Sequence, residues 1–322
     1  MAGLDSYQGA SLFFSEVDIL KALEQQSGRI IPHTYMFDNN NGFMAEENHI
    51  IALGLYNRGI KTLPELFGSL VKLEKLYLHF NDVWRLPENF GNLRNLQVLW
   101  MYDNQVRRLP ENFGNLRSLQ VLGLGSNQLQ TLPESFGQLS NLQKLYLNDN
   151  QLKTLPKSFG NLRNLQTVYL NGNELQTLPE SFGSLVNLKE LHLHYNNLNS
   201  LPKNFGDLQN LQALYLNNNK LQTLPQSFGN LANLRVLRFG SNPLAGMFAL
   251  FWLDQSRSTF RRSWVPRSLF THSLVRNLYP ASLHPLPQDW CPFCGVVGLV
   301  GGQEKLSGKK HVFCVRCELR IS

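Results

Sequence analysis

The sequence predicts an α/β solenoid: a horseshoe with one parallel β-sheet on its concave face and short helical or extended segments on its convex face. Three observations carry this expectation. An apolar position recurs at Ile50, Leu73, Leu96, Leu119, Leu142, Leu165, Leu188, Leu211 and Leu234, always 23 residues apart, with no insertion in nine copies. Each copy contains an alternation such as Leu145-Tyr146-Leu147, which makes a short strand with leucines inward and the residue between them outward. The other half of the copy reads Leu-Pro-x-x-Phe-Gly-x-Leu, a turn-rich return path to the next strand. Units of fixed length that touch only their neighbours build a quasi-one-dimensional stack.

Residues 1–49 read as an N-terminal cap. Residues 1–11 lack periodicity and are expected to be mobile. From Leu12 to Gln26, Phe13, Val17, Leu20 and Leu23 keep helical spacing. Ser15 is the expected N-cap, with Asp18 at the third helical position, and Ser27-Gly28 is the stop. Phe43-Met44-Ala45, the turn-like Glu46 to His49 and Ile50 to Leu53 predict a hairpin whose second strand is the first repeat strand. A solenoid needs such a cover, because its first repeat otherwise exposes a core face and an open sheet edge.

Residues 50–244 are the repeats. An asparagine follows each strand from Asn81 to Asn242, where a buried amide satisfies turn backbone groups of its own and the adjacent copy. The first copy has Arg58 in that slot. Proline from Pro64 to Pro225 confines the backbone to a turn or first helical position. Phenylalanine from Phe67 to Phe228 fills the wide convex side of the core, and the glycine after it lets the chain reverse. The repeated L-x-x-L-x-L-x-x-N-x-L resembles the signature of leucine-rich repeats over about three-fifths of the chain. The Leu-Pro-x-x-Phe-Gly-x-Leu half is similar to the short, regular intracellular, Ras-group-related class. That resemblance implies a non-enzymatic scaffold that recognises a protein partner, sometimes in small-GTPase or defence signalling.

Residues 245–289 read as a C-terminal cap and linker. Met247 to Leu253 is apolar enough to cover the last repeat, and residues 254–290 mix arginines with aromatic residues without a period. Residues 290–322 carry all four cysteines, as Cys291-Pro-Phe-Cys294 and Cys314-Val-Arg-Cys317. Two Cys-x-x-Cys pairs so spaced suit a tetrahedral thiolate cage for structural Zn2+, and the stretch resembles a zinc ribbon. Four protein ligands leave no open position for a catalytic water. Charge is uneven: residues 1–244 hold 20 Lys+Arg against 19 Asp+Glu, and residues 245–322 hold 10 against 4. The start lacks a secretory pattern, and the cysteines do not read as a secreted disulfide framework. A cytoplasmic protein that spans no membrane is expected.

The outward strand residues are the candidate partner site. One column reads Tyr77, Trp100, Gly123, Tyr146, Tyr169, His192, Tyr215, Arg238, and a second includes Tyr102 and His194. On a parallel sheet such residues stack about 4.8 Å apart, and aromatics with polar tips favour protein interfaces. Trp100, beside Tyr77 and Tyr102 and next to Gly123 and Gly125, is expected to form a ridge meeting a dip. Glu190, His192 and His194 share a face, where the histidines are expected to be solvated. Paired carboxylates, a Ser-His-Asp order and an isolated nucleophilic cysteine do not stand out, so no enzyme is expected. The alternative reading is a nucleic-acid-associated protein that binds phosphate through the basic residues 245–322.

Overall fold

The computed structural model describes residues 3–34 and 41–243, together with the backbone of 299–303, 310–314 and 319–321. The chain opens with an antiparallel hairpin, β1 (Leu4–Tyr7) and β2 (Ala10–Phe13). Gln8 and Gly9 turn it at positive φ. The expectation of a mobile segment over residues 1–11 is therefore corrected from Leu4 onward, residues 1 and 2 lying outside the described residues. Tyr7, Ala10 and Leu12 are buried, so three scattered side chains anchor a strand pair too short to show a period.

Helix α1 (Phe14–Ser27) begins before the expected Ser15 cap: Phe13 occupies the N-cap position and no side chain caps the end. Gly28 ends the helix in the left-handed conformation (φ 63°), as a stop glycine should. Glu16 on α1 is only 2% exposed. Its carboxyl group meets His49 Nδ1 at 2.8 Å and accepts the Ile50 N–H at 2.7 Å, so this buried side chain joins the helix to the first repeat strand.

Strands β3 (Asn41–Glu46) and β4 (His49–Leu55) form the expected hairpin, closed by Glu47 and Asn48 at positive φ. From β4 the sheet continues in parallel through β5 (Lys75–Tyr77), β6 (Val98–Trp100), β7 (Val121–Gly123) and β8 (Lys144–Tyr146). It ends with β9 (Thr167–Tyr169), β10 (Glu190–His192), β11 (Ala213–Tyr215) and β12 (Val236–Arg238). The pairing Leu53, Leu76, Leu99, Leu122, Leu145, Val168, Leu191, Leu214, Leu237 advances 23 residues at every step.

The return segments are 3₁₀ helices, for example Glu111–Asn115 and Glu134–Gln138. Among the described residues, the α component of the expected α/β class is α1 alone. Five residues between a proline and the next leucine are too few for α-helical turns, and a single tight turn is the compact solution. Behind the sheet, Phe67, Phe90, Phe113, Phe136, Phe159, Phe182, Phe205 and Phe228 are fully buried. Successive rings stack nearly parallel, 6.1 Å apart at Phe90–Phe113 and 5.7 Å at Phe159–Phe182.

The asparagine column links the copies. Asn104 Nδ2 donates to Leu78 O of the copy before (2.9 Å) and to its own Met101 O (3.2 Å), while its Oδ1 accepts the Val83 N–H (3.0 Å). The same bonds recur around Asn127, Asn150, Asn173, Asn196 and Asn219. Arg58, in the first copy's slot, reaches back through Nη1 to Arg29 O and Ile30 O, and through Nε to Asn41 Oδ1.

The expected linker 254–290 and Cys291, Cys294 and Cys317 lie outside the described residues, as does the side chain of Cys314. Backbone is described for β13 (Leu299–Gln303), β14 (Lys310–Cys314) and β15 (Leu319–Ile321), an antiparallel sheet in that order.

The phenylalanine column predicts that Phe136→Ala destabilises the chain by about 3–5 kcal/mol, the usual cost of a large buried cavity. Chemical denaturation followed by circular dichroism measures it.

Candidate functional site

The outward residues of β5 to β12 form one surface, because the register fixes them in rows. Tyr77 pairs with Trp100, Trp100 with Gly123, and so on to Tyr215 and Arg238. The backbone behind them is pinned, so the side chains meet their neighbours on adjacent strands.

The expected ridge and dip are corrected. A Cβ at Gly123 would lie 2.0 Å from Trp100 Cε3, and one at Gly125 would lie 2.4 Å from Tyr102 Cε1. The missing side chains let the Trp100 and Tyr102 rings lean across the next strand and fill the hollow. Trp100 thereby stacks on Tyr102 (5.3 Å between centroids) and reaches Tyr146, two strands away, at 5.3 Å. The row continues from Tyr146 to Tyr169 at 5.1 Å.

Next, His192 lies between two phenol rings, 3.9 Å from Tyr169 and 4.2 Å from Tyr215, each inclined by 12°. It is 9% exposed, so the expectation of a solvated histidine fails there. Glu190 Oε1 meets His192 Nε2 at 2.8 Å and accepts the Tyr169 hydroxyl at 3.2 Å. Beyond them, the Arg238 guanidinium lies 5.7 Å from the Tyr215 ring centre, within cation–π range. Burial, with the Glu190 carboxylate beside it, pushes the Tyr169 phenol up to about 12. Burial also raises Tyr77, Tyr102 and Tyr146. These phenols stay protonated and present O–H groups along the sheet.

His194 packs on His192, Tyr195 and Tyr215 (5.7, 5.5 and 6.2 Å). Tyr77 stands at the far end against His79, and His79 against Tyr56. All eight predicted partner residues therefore lie on this face, in two groups: Tyr77 with Tyr56, His79 and Phe80, and the row from Trp100 to Tyr215. Glu190 clamps the second group, a role its charge type alone did not announce.

Two further residues stand out by backbone geometry. Phe80 (φ 59°) and Tyr195 (φ 55°) occupy the left-handed slot filled in other copies by Asn, Asp, Ser or Gly. A bulky ring there is strained, yet Phe80 is 50% and Tyr195 61% exposed. Nearby Trp84 is also exposed. The repeat spacing places Phe80 and Tyr195 in a third outward column with Asp103, Asp149 and Asn218, whereas Trp84 carries no such signal. Among the described residues, no group of three His, Cys, Asp or Glu side chains is placed to hold a metal.

Comparison with known proteins agrees with this architecture. A leucine-rich repeat region family matches residues 96–167 and 180–255, and a leucine-rich repeat family matches 153–198. No curated protein matches the chain. A leucine-rich repeat protein of Leptospira interrogans is 39% identical over 60% of this chain and 49% of its own, with a TM-score of 0.57. Toll in the Drosophila Toll–Spatzle complex is 31% identical over 59% of this chain and 26% of its own, TM-score 0.52. The ectodomain of the Arabidopsis thaliana receptor kinase GASSHO1/SCHENGEN3, in complex with Casparian strip integrity factor 2, is 27% identical over 70% of this chain and 32% of its own, TM-score 0.50. This chain thus spans half or less of each. Its repeat region is a leucine-rich repeat solenoid, a fold that generally serves as a protein-interaction scaffold. No helix among the described residues is long and apolar enough to cross a membrane.

Burial holds His79 and His194 below the ordinary histidine value, so the unfolded chain binds more protons there and stability falls as pH drops through and below about 6.5. A thermal melt series from pH 7.5 to 5 should fall more steeply for the wild type than for His79→Gln/His194→Gln.

Proposed function

We propose that the chain is a non-enzymatic scaffold, capped by residues 1–49, which holds a protein partner on the concave sheet face of its nine repeats in intracellular signalling. The observation that carries this reading is the packed row Trp100–Tyr102–Tyr146–Tyr169–His192–Tyr215. Its rings are immobilised before any partner arrives, so binding orders few side chains and costs little entropy. Phenol and imidazole edges then offer apolar area with hydrogen-bonding tips, the combination enriched at interface hot spots. Phe80 and Tyr195 fit the same role, since each holds a half-exposed ring at a strained backbone position beside this face. The Toll–Spatzle and GASSHO1/SCHENGEN3 complexes are precedents for protein ligands on this architecture.

The experiment is affinity capture with the full chain, comparing wild type with Trp100→Ala/Tyr146→Ala/Tyr169→Ala. Loss of the captured partner from a variant that keeps its circular dichroism spectrum is expected. An unchanged captured set rejects the face.

The cysteines of residues 290–322 extend the proposal. Antiparallel pairing of Leu299 with Cys314 puts the start of β13 and the end of β14 at one end of a hairpin. In sequence, Cys291 and Cys294 run into that end while Cys314 and Cys317 leave it, a register compatible with one four-thiolate Zn2+ site. The metal would fold this tail and perform no reaction. Purified chain should carry one zinc per molecule by elemental analysis, and Cys291→Ser/Cys314→Ser should lose it. Zinc-free wild type prepared without chelators, or a metal content unmoved by the substitutions, refutes the assignment.

A further inference from the structure

The near-neutral solenoid is polarised. The turn preceding each strand, with the strand's first residue, carries Lys72, Lys75, Arg94, Arg117, Lys144, Arg163, Lys189 and Arg235, against Glu74 and Glu190 alone. All eight cations are exposed, and none forms an ion pair with a carboxylate among the described residues. Most 3₁₀ segments bear the opposite sign: Glu65, Glu88, Glu111, Glu134 and Glu180 start five of them, against Lys157 in one. One rim is thus a line of unpaired positive charge.

This rim is rigid. Asn95, Asn141, Asn164, Asn187, Asn210 and Asn233 each donate through Nδ2 to a carbonyl 24 residues earlier, at 2.7–2.9 Å. Those bonds tie six of the seven successive turns to the one before; Ser118 takes the asparagine's place between the turns of Arg94 and Arg117. A trough of about 350 Å³ opens in the middle, lined by Gln143, Asn164, Gln166, Asn187, Lys189 and Asn210. Lys189 Nζ bonds Gln166 Oε1 across it at 3.2 Å.

The chemistry of this lining selects the ligand. Each asparagine spends one of its two amide N–H groups on the backbone, which leaves one N–H and the acceptor Oδ1. Phosphate and sulfate have no N–H to offer it. A polypeptide backbone does, and acidic side chains on that polypeptide satisfy the cations. The positions forming the rim contain no aromatic residue, so stacking of nucleic-acid bases has no platform there. We propose that the rim binds an extended acidic polypeptide segment, with its carboxylates on the Lys/Arg column and its backbone N–H groups on the asparagine oxygens. From β5 to β12 the rim runs about 34 Å at about 4.8 Å per strand, the length of about ten extended residues. This surface meets the aromatic row at Glu190, but its cations are not part of that row, so the two proposals are tested with different substitutions.

The test is fluorescence anisotropy at low salt with a labelled ten-residue glutamate peptide and the full chain. Arg94→Glu/Arg117→Glu/Arg163→Glu/Lys189→Glu should weaken binding about tenfold or more, four exposed pairs being lost together. Arg257→Glu/Arg261→Glu/Arg262→Glu/Arg267→Glu, an equal change of charge in the tail, should leave it nearly unchanged, as should the triple aromatic variant. Should the reversal fail to fold, the same four residues changed to Gln serve, with a smaller loss expected. An equal or larger loss in the tail variant overturns the proposal. So does tighter binding of a ten-residue oligothymidylate through the same four cations, or concentration-dependent dimerisation abolished by the rim variant, which would make the occupant a second copy.

Discussion

The buried asparagine amide is the interaction on which the rest depends. A strand of three residues cannot hold a sheet by its own ladder, and the loop after it leaves backbone groups inside the core. Asn150 answers both problems: Nδ2 serves Leu124 O of the preceding copy and Leu147 O of its own, and Oδ1 takes the Leu129 N–H. Leaving such buried groups unpaired costs about 1–3 kcal/mol each. Because the amide spans two copies at fixed length, an insertion within a copy would break it. The constant 23-residue step is the covalent counterpart of that hydrogen bond.

Fixed register then makes the aromatic row. Trp100 finds Tyr146 only because Gly123 lies between them on the intervening strand. His192 is sandwiched only because Tyr169 and Tyr215 occupy the same slot one copy to either side. The cationic rim has the same origin: asparagine amides clasp six of its seven successive turns to the one before. Two surfaces of different chemistry thus arise from one backbone constraint, the first apolar with hydroxyl tips and the second charged with carbonyl acceptors.

Much of this was legible in the sequence, and the failures are instructive. Leucine period, strand register, hairpin turn and the columns of outward residues could be read directly, since repetition averages away local noise. The β1–β2 hairpin was hidden, because four-residue strands with few apolar positions show no period. Helix α1 starts without a cap side chain, so cap-seeking misplaced it. Gly123 reads as a hollow when taken as a missing side chain, but its large register partner Trp100 on the adjacent strand leans in and fills it, a direction the sequence does not carry. His192 looked solvated because a strand position outward on its own copy says nothing of rings on neighbouring copies. The rim was missed because summed charge hides segregation: +1 over residues 1–244 conceals a one-sided column.

Amide hydrogen exchange of the loop N–H groups of Val106, Leu129, Leu152, Leu175 and Leu198 tests the central constraint most directly, since these groups lie outside every strand yet each bonds the next copy's asparagine Oδ1. Protection as strong as that of the strand leucines, lost at Leu129 in Asn150→Ala, is the result the account predicts. Rapid exchange of these loop amides in the wild-type chain would contradict it.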